Sequence, residues 1–272
     1  MTLDGTRTYL VGERRLAVID PGPALAAHLD AVVAAVVGAP AGGGSADGPP
    51  PDAAPDVVLP TRPSGRRGER DDIIVEILVT HDHPDHAAGA AALAERLGAP
   101  VRAAAAGTLA DGDRIATDAG ELVAVATPGH TTDHIAFHWP AAAAVFCGDL
   151  LMGGQETALV APPEGDLGAY LASLERVRAL APRVIHPAHG PSFTDPPAAL
   201  DAYVRHRHER ERQVLAALEA GATSVADIVA AVYGPALDPA LRGAAGGAVR
   251  AYLEHLTREG RVRRVGEGWG VV

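Results

Sequence analysis

The chain has 272 residues, 47% hydrophobic but only 4% aromatic, enough for one large domain or a large and a small one with a core built on Ala, Val and Leu. A formal net charge of −11, from 34 acidic against 23 basic residues, argues against a nucleic-acid binder that works through a broadly basic surface. Cys147 is the single cysteine, which excludes an intramolecular disulfide, and no apolar run approaches the roughly 20 residues of a membrane span, so the expected location is cytoplasmic and no membrane partner is expected.

In chain order, "TYLVG" and "RLAVIDPG" read as short strands, the second ending on a Pro-Gly turn, and "ALAAHLDAVVAAVVG" reads as a helix closed by Gly38. Residues 41–70 are so rich in Gly, Pro and charge that the expectation is a flexible insertion, with at most a short strand at "DVVL". "DDIIVEILVT" follows as a buried strand and "HAAGAAALAERLGA" as a helix, with "THDHPDH" at the junction between them, where α/β folds place their chemistry. Further strands are expected at "ELVAVATPGH", "IAFHWP", "AAVFCGD" and "RVIHPAHG", with a helix over 166–181 and a long one over 197–220. The last segment changes grammar to helix, helix and two short strands around a Gly-containing turn, the order of a small winged-helix unit.

Residues 81–86 contain three histidines and two aspartates, in the pattern His81, His83, Asp85, His86 with one residue between the first three. These are ligand types suited to zinc and similar divalent transition metals, and burying them without partners would be costly. Alternation along a loop lets His81 and His83 face one point while Asp85 and His86 face another, so a single segment serves two cations. Strand ends offer the remaining ligands: His130, Asp149 and His189. The arrangement expected is His81, His83 and His130 on one metal, Asp85, His86 and His189 on a second, and the Asp149 carboxylate between them. Two cations sharing a water supply hydroxide near neutrality, and Asp85 is the candidate to orient that nucleophile and handle its proton.

With these segments in view, the chain resembles the metallo-β-lactamase-fold hydrolases: "GTRTYLVG", "AVIDPGP", "THDHPDH", "TPGHTTDH", "CGDLL" and "HPAHGP" occur in that family's order. The resemblance implies a four-layer αβ/βα sandwich over residues 1–200, followed over 201–272 by a helical linker and a small winged-helix-like α+β domain. It further implies a dinuclear zinc site on one edge of the sandwich. Asp20 matches a position whose carboxylate orients a ligand imidazole, although an aspartate at a strand end could equally cap the turn. Arg7 stands where relatives often have Asn. A β-lactamase would have Cys in place of Asp149, and Cys147 reads instead as a buried core thiol. His134 and His186 lie near the site in sequence, and ordinary supporting roles suffice for them.

The C-terminal segment resembles that of β-lactamase-like proteins with a winged-helix-like domain, which leaves two hydrolytic substrates: a small ester or thioester, or single-stranded RNA. Tyr203, Arg207 and Arg210, at spacings of four and three, share a helix face that could hold an anionic group of the substrate; the plainer alternative pairs Arg207 with Glu211 at i+4. Arg205, Arg207, Arg210, Arg212 and the "RVRR" of 261–264 could contact phosphates, but Glu209 and Glu211 interleave with them and base-stacking aromatics are scarce. A metal-sensing DNA-binding protein is the alternative of a different class. Its would-be recognition helix carries as many acids as arginines.

Overall fold

The structure is a computed structural model that describes residues 5–37, 73–154 and 157–272. The insertion expected over 41–70, with its "DVVL" strand, lies outside the described residues. The described residues separate into two compact units, one drawn from 1–126, 133–156 and 180–194, the other made of Thr127–Thr132, Thr157–Ala179 and Asp195–Val272.

The first unit is built on two sheets. Strands β1 (Tyr9–Val11), β2 (Arg15–Ile19), β3 (Ile74–Leu78) and β4 (Val101–Arg102) lie in sequence order, β1 antiparallel to β2 and the rest parallel. The second sheet holds β5 (Arg114–Thr117), β6 (Gly120–Ala126), β7 (Ile135–Trp139), β8 (Ala144–Phe146) and β9 (Val184–His186), antiparallel until β8 meets β9 in parallel. Period-two alternation decides which face each residue serves. Tyr9, Val11, Ala17, Ile19 and Leu78 turn toward Leu122, Ile135, Phe137, Trp139 and Phe146 of the second sheet and form the core between the sheets. Leu10, Leu16, Val18, Val75 and Ile77 turn the other way, onto helices α1 (Ala26–Val37) and α3 (Ala90–Leu97). Four aromatics, Tyr9, Phe137, Trp139 and Phe146, lie between the sheets, where the Tyr9 and Phe146 ring centroids are 5.0 Å apart.

Two expectations about local structure change. The single helix expected after "THDHPDH" is divided into a one-turn α2 (Pro84–Ala87) and α3, because the chain pauses at Gly89, whose N–H donates to the Gly22 carbonyl. The short strands β4 and β5 escaped the sequence reading.

The second unit contains α4 (Leu167–Ala179), α5 (Pro196–Glu219), α6 (Val225–Tyr233), α7 (Arg242–Arg258) and the hairpin β10 (Val262–Val265) and β11 (Gly268–Val271). Helix α5 begins where the Asp195 side chain accepts the Ala198 N–H and prolines fill the first positions, and α6 begins where Ser224 accepts from Asp227. The boundary expected at residue 200 therefore falls inside α5, and residues 127–132 and 157–179 group with the C-terminal segments. The reason is local: Asp166 N–H donates to Gly129 O, Ser173 Oγ donates to Pro128 O, and Gly129 packs directly on the Tyr170 backbone.

Gly129 has φ of 135°, and a Cβ there would stand 2.3 Å from Tyr170 Cα. Gly98, at φ of 64°, has open space around it. We expect Gly129→Ala to cost about 3 kcal/mol or more, since backbone rather than a yielding side chain blocks the methyl, against about 1 kcal/mol for Gly98→Ala. Urea unfolding of the two variants compares them directly.

Candidate metal centre

The "THDHPDH" run leaves β3 at its C-terminal end, and the burial of its residues alternates: His81 and His86 are buried, His83 and Asp85 half-buried, and Asp82 and Pro84 exposed. His81 Nε2 and His83 Nδ1 face each other at 3.0 Å. On the other side, His86 Nε2 lies 3.5 Å from both Asp85 Oδ2 and Asp149 Oδ1, and His189 Nε2 lies 3.3 Å from the same two oxygens. The sets His81, His86, Asp149 and Asp85, His86, His189 each offer ligand atoms within 4.8 Å of one another.

Behind these side chains stands Asp20, 1% exposed at the end of β2. Its Oδ1 accepts the Thr80 N–H at 2.8 Å, and its Oδ2 accepts the Thr80 hydroxyl at 2.9 Å and lies 3.0 Å from His86 Nδ1. The Thr80 hydroxyl donates its one proton to Asp20, so the 3.0 Å contact between His81 Nδ1 and Thr80 Oγ1 has the imidazole as donor. One carboxylate thus orients His86 directly and His81 through Thr80. His189 Nδ1 donates to the Gly5 carbonyl at 3.1 Å, since a carbonyl can only accept. In all three rings Nδ1 holds the proton and Nε2 keeps its lone pair for the site.

Thr80 sits immediately before the histidines and carries no signal of its own in the sequence; neither does Thr6, whose hydroxyl donates to Asp85 Oδ2 at 3.0 Å. His134, 1% exposed, accepts the Asp149 N–H on its Nε2 at 3.1 Å and so fixes the backbone that presents the carboxylate. A Cβ on Gly148 would meet His134 Nε2 at 2.7 Å, which accounts for glycine before Asp149 in "CGDLL". His186 contacts Ser192 Oγ at 2.8 Å and stacks on Phe146, a packing role. Cys147 is fully buried, beside the Leu151 carbonyl.

The electrostatics fit a cation. Burial would raise the Asp85 carboxyl, but His189, the charge of His86 and the Thr6 hydroxyl outweigh it and hold the group well below the usual carboxylate range. Burial would lower His86, yet the carboxylates of Asp20 and Asp149 push it up to about 10. His189 moves the same way: burial opposes, and Asp85 and Asp149 prevail. Among the described residues, the buried Nε2 atoms of His86 and His189 have no hydrogen-bond partner, and such atoms converging on ionised carboxylates are what a divalent cation would satisfy in place of protons.

The remaining candidates belong to the second unit. His130 is half-buried and its Nδ1 donates to the Leu159 carbonyl at 2.8 Å, the tautomer seen in the other rings. Tyr203 and Arg207 are buried on α5, with Arg210 half-buried beside them. Arg207 does not pair with Glu211. Its guanidinium donates to the Ala158 carbonyl and lies over the Tyr170 ring at 4.6 Å, while Glu211 takes Arg261 from the start of the hairpin. Arg210 lies over the Tyr233 ring at 4.6 Å.

Comparisons with known proteins agree with this geometry. The sequence model of the Metallo-beta-lactamase superfamily matches residues 1–119 and 107–189, and that of the Beta-lactamase associated winged helix domain matches 224–269. A lactamase-like protein of Aspergillus niger is 28% identical over 86% of this chain and 69% of its own length. An atrochrysone carboxyl ACP thioesterase of Aspergillus chevalieri is 30% identical over 85% of this chain and 69% of its own. A crystal structure of a metallo-beta-lactamase family protein from Thermus thermophilus shares the fold over 97% of this chain and 92% of that one, with a TM-score of 0.70 at 19% identity. The strand-end histidines and aspartates, the two facing sheets and the matched segments lead to one conclusion: the chain belongs to the metallo-beta-lactamase superfamily of metal-dependent hydrolases and carries that group's winged helix domain.

Proposed function

We propose that this protein is a dinuclear zinc hydrolase acting on a thioester or small ester. The observation that carries the substrate class is the likeness, over 85% of the chain, to a relative described as an acyl carrier protein thioesterase. His81 and His83, with His130, would hold one ion; Asp85, His86 and His189 would hold the other; and Asp149 would bridge them. Bound zinc supplies a Lewis acid for the scissile carbonyl and lowers the pKa of a water molecule.

The protein's own groups do the positioning. Asp85, held ionised and fixed at Oδ2 by Thr6, acts as an acceptor that orients an attacking water rather than as a store of protons. Asp20 and Thr80 keep the His81 and His86 rings from turning, and His134 holds the Asp149 backbone. Cleavage of RNA finds less support. Of the basic groups that could follow a phosphate chain, Arg207 is buried, Arg212 pairs with Glu209, Arg261 pairs with Glu211 and Glu259, and Arg264 lies over Trp269.

Three outcomes are expected. A panel of acyl thioesters, p-nitrophenyl esters, bis-p-nitrophenyl phosphate and single-stranded RNA should give kcat/KM for a thioester about tenfold or more above that for the phosphodiesters, and faster RNA cleavage would overturn the substrate class. Asp149→Ala should lower zinc content per chain, measured by elemental analysis, and reduce turnover about a hundredfold or more; full occupancy with normal turnover would remove the bridging role. Asp20→Asn keeps the volume but loses the charge that orients two imidazoles, so zinc affinity from competition with a chelator should fall about 10- to 100-fold.

A further inference from the structure

Within the second unit lies a cavity of about 270 Å³ between α5, α6, α7 and residues 157–160. Among its lining residues the charged groups are Arg207 and Arg210, with no acid among them. This is unusual in a chain of net charge −11. Arg207 is 4% exposed, and the partners of both guanidinia are neutral: the Ala158 carbonyl for Arg207, Gln213 Oε1 and the Val232 carbonyl for Arg210. The faces of Tyr170 and Tyr233 hold the two guanidinium planes in place but do not neutralise them. A buried cation without a carboxylate is costly unless an anion joins it.

A second observation points to the same occupant. Among the described residues, three buried side-chain atoms lining this cavity lack a hydrogen-bond partner of good geometry, Arg207 Nε, Tyr252 Oη and His206 Nδ1, although the Tyr252 hydroxyl and the Arg207 guanidinium are near enough to shift one another. Two belong to side chains more than nine-tenths buried, with Tyr252 2% exposed. Burial and the two neighbouring guanidinia hold His206 below its ordinary range, so it is a neutral ring able to donate or accept. The opposite wall is apolar, with Val160, Ala245 and Ala248, and Leu159 and Leu241 stand 44% and 55% exposed among the lining residues, where the cavity reaches solvent.

We propose that this cavity is a binding site for a small organic anion, a carboxylate or phosphate head on a short apolar body. The head is held by Arg207, Arg210 and the Tyr252 hydroxyl, and the body lies against the aliphatic wall. The volume is at the small end of ligand sites and suits a compact acid. The site also adjoins His130: the neighbouring carbonyls of Ala158 and Leu159 accept from Arg207 and from His130, so one short segment joins the two. This assignment does not rest on the thioesterase reading, because it is tested by binding and not by turnover.

Calorimetric titration of the full-length protein as purified, with hexanoate, hexyl phosphate, hexanol and inorganic phosphate as probes, tests the site. One of the two hexyl anions should bind saturably with one site per chain, at least about tenfold more tightly than hexanol or inorganic phosphate. Arg210→Gln should weaken that binding about tenfold and Tyr252→Phe about threefold to tenfold, with circular dichroism unchanged. These two variants avoid the fully buried Arg207, whose replacement could unfold the helix packing. Hexanol binding as tightly as the anions, inorganic phosphate matching them, no saturable anion binding, or wild-type affinity in both variants would each overturn the proposal.

Discussion

The Asp20 carboxylate is the constraint on which the site depends. A buried carboxylate must have its oxygens satisfied, and here the satisfaction is the construction itself: the main chain of Thr80, its hydroxyl and the His86 ring all converge on one group. The end of β2 is thereby tied to the end of β3, and the Thr8 hydroxyl adds a bond to the Asp20 carbonyl. Asp20 itself is in the left-handed region, at φ of 52°, which a side chain adopts at some cost and which aspartate tolerates better than most. That local strain is offset by the bonds it makes possible. The sequence left two readings of Asp20 open, a turn cap or an orienting group, and the structure shows one carboxylate engaging both the backbone at Thr80 and an imidazole.

Much of the site was legible in the sequence because its ligand types are crowded into one run and repeated at strand ends, a pattern that packing alone does not call for. The groups behind them were not. Thr80, Thr6 and His134 are single polar residues in connecting segments, and their roles come from partners 60, 79 and 15 positions away. Strand alternation foretold the inner and outer faces of β1 to β3, but the two-residue β4 and four-residue β5 are too short for any period to show. Tyr203, Arg207 and Arg210 follow one another at helical spacing along α5, the first two buried and the third half-buried. Spacing could not say whether that side faced solvent, and the plainer alternative, an i+4 pair of Arg207 with Glu211, gives way to Arg261, 50 positions from Glu211, which pairs with it instead.

The two units use charge in opposite ways. In the first, carboxylates and imidazoles are gathered so closely that each shifts the others, an arrangement that favours a cation. In the second, two guanidinia are set among rings and carbonyls with acids kept away, an arrangement that favours an anion. Both rest on the same rule, that a low-dielectric environment magnifies whatever charge is left uncompensated.

Cys147 adds a practical property. Its sulfur is fully buried between β8 and Asp149, and burial, with the adjacent Asp149 charge, pushes the thiol up to about 12 while the Leu151 carbonyl nearby accepts its proton. Thiolate is the reactive form, so at neutral pH this sulfur is silent toward maleimides and disulfide exchange. With no other cysteine in the chain, the wild-type protein is a ready background for spectroscopy: one cysteine introduced on a surface helix would carry a fluorophore or spin label at a single known position.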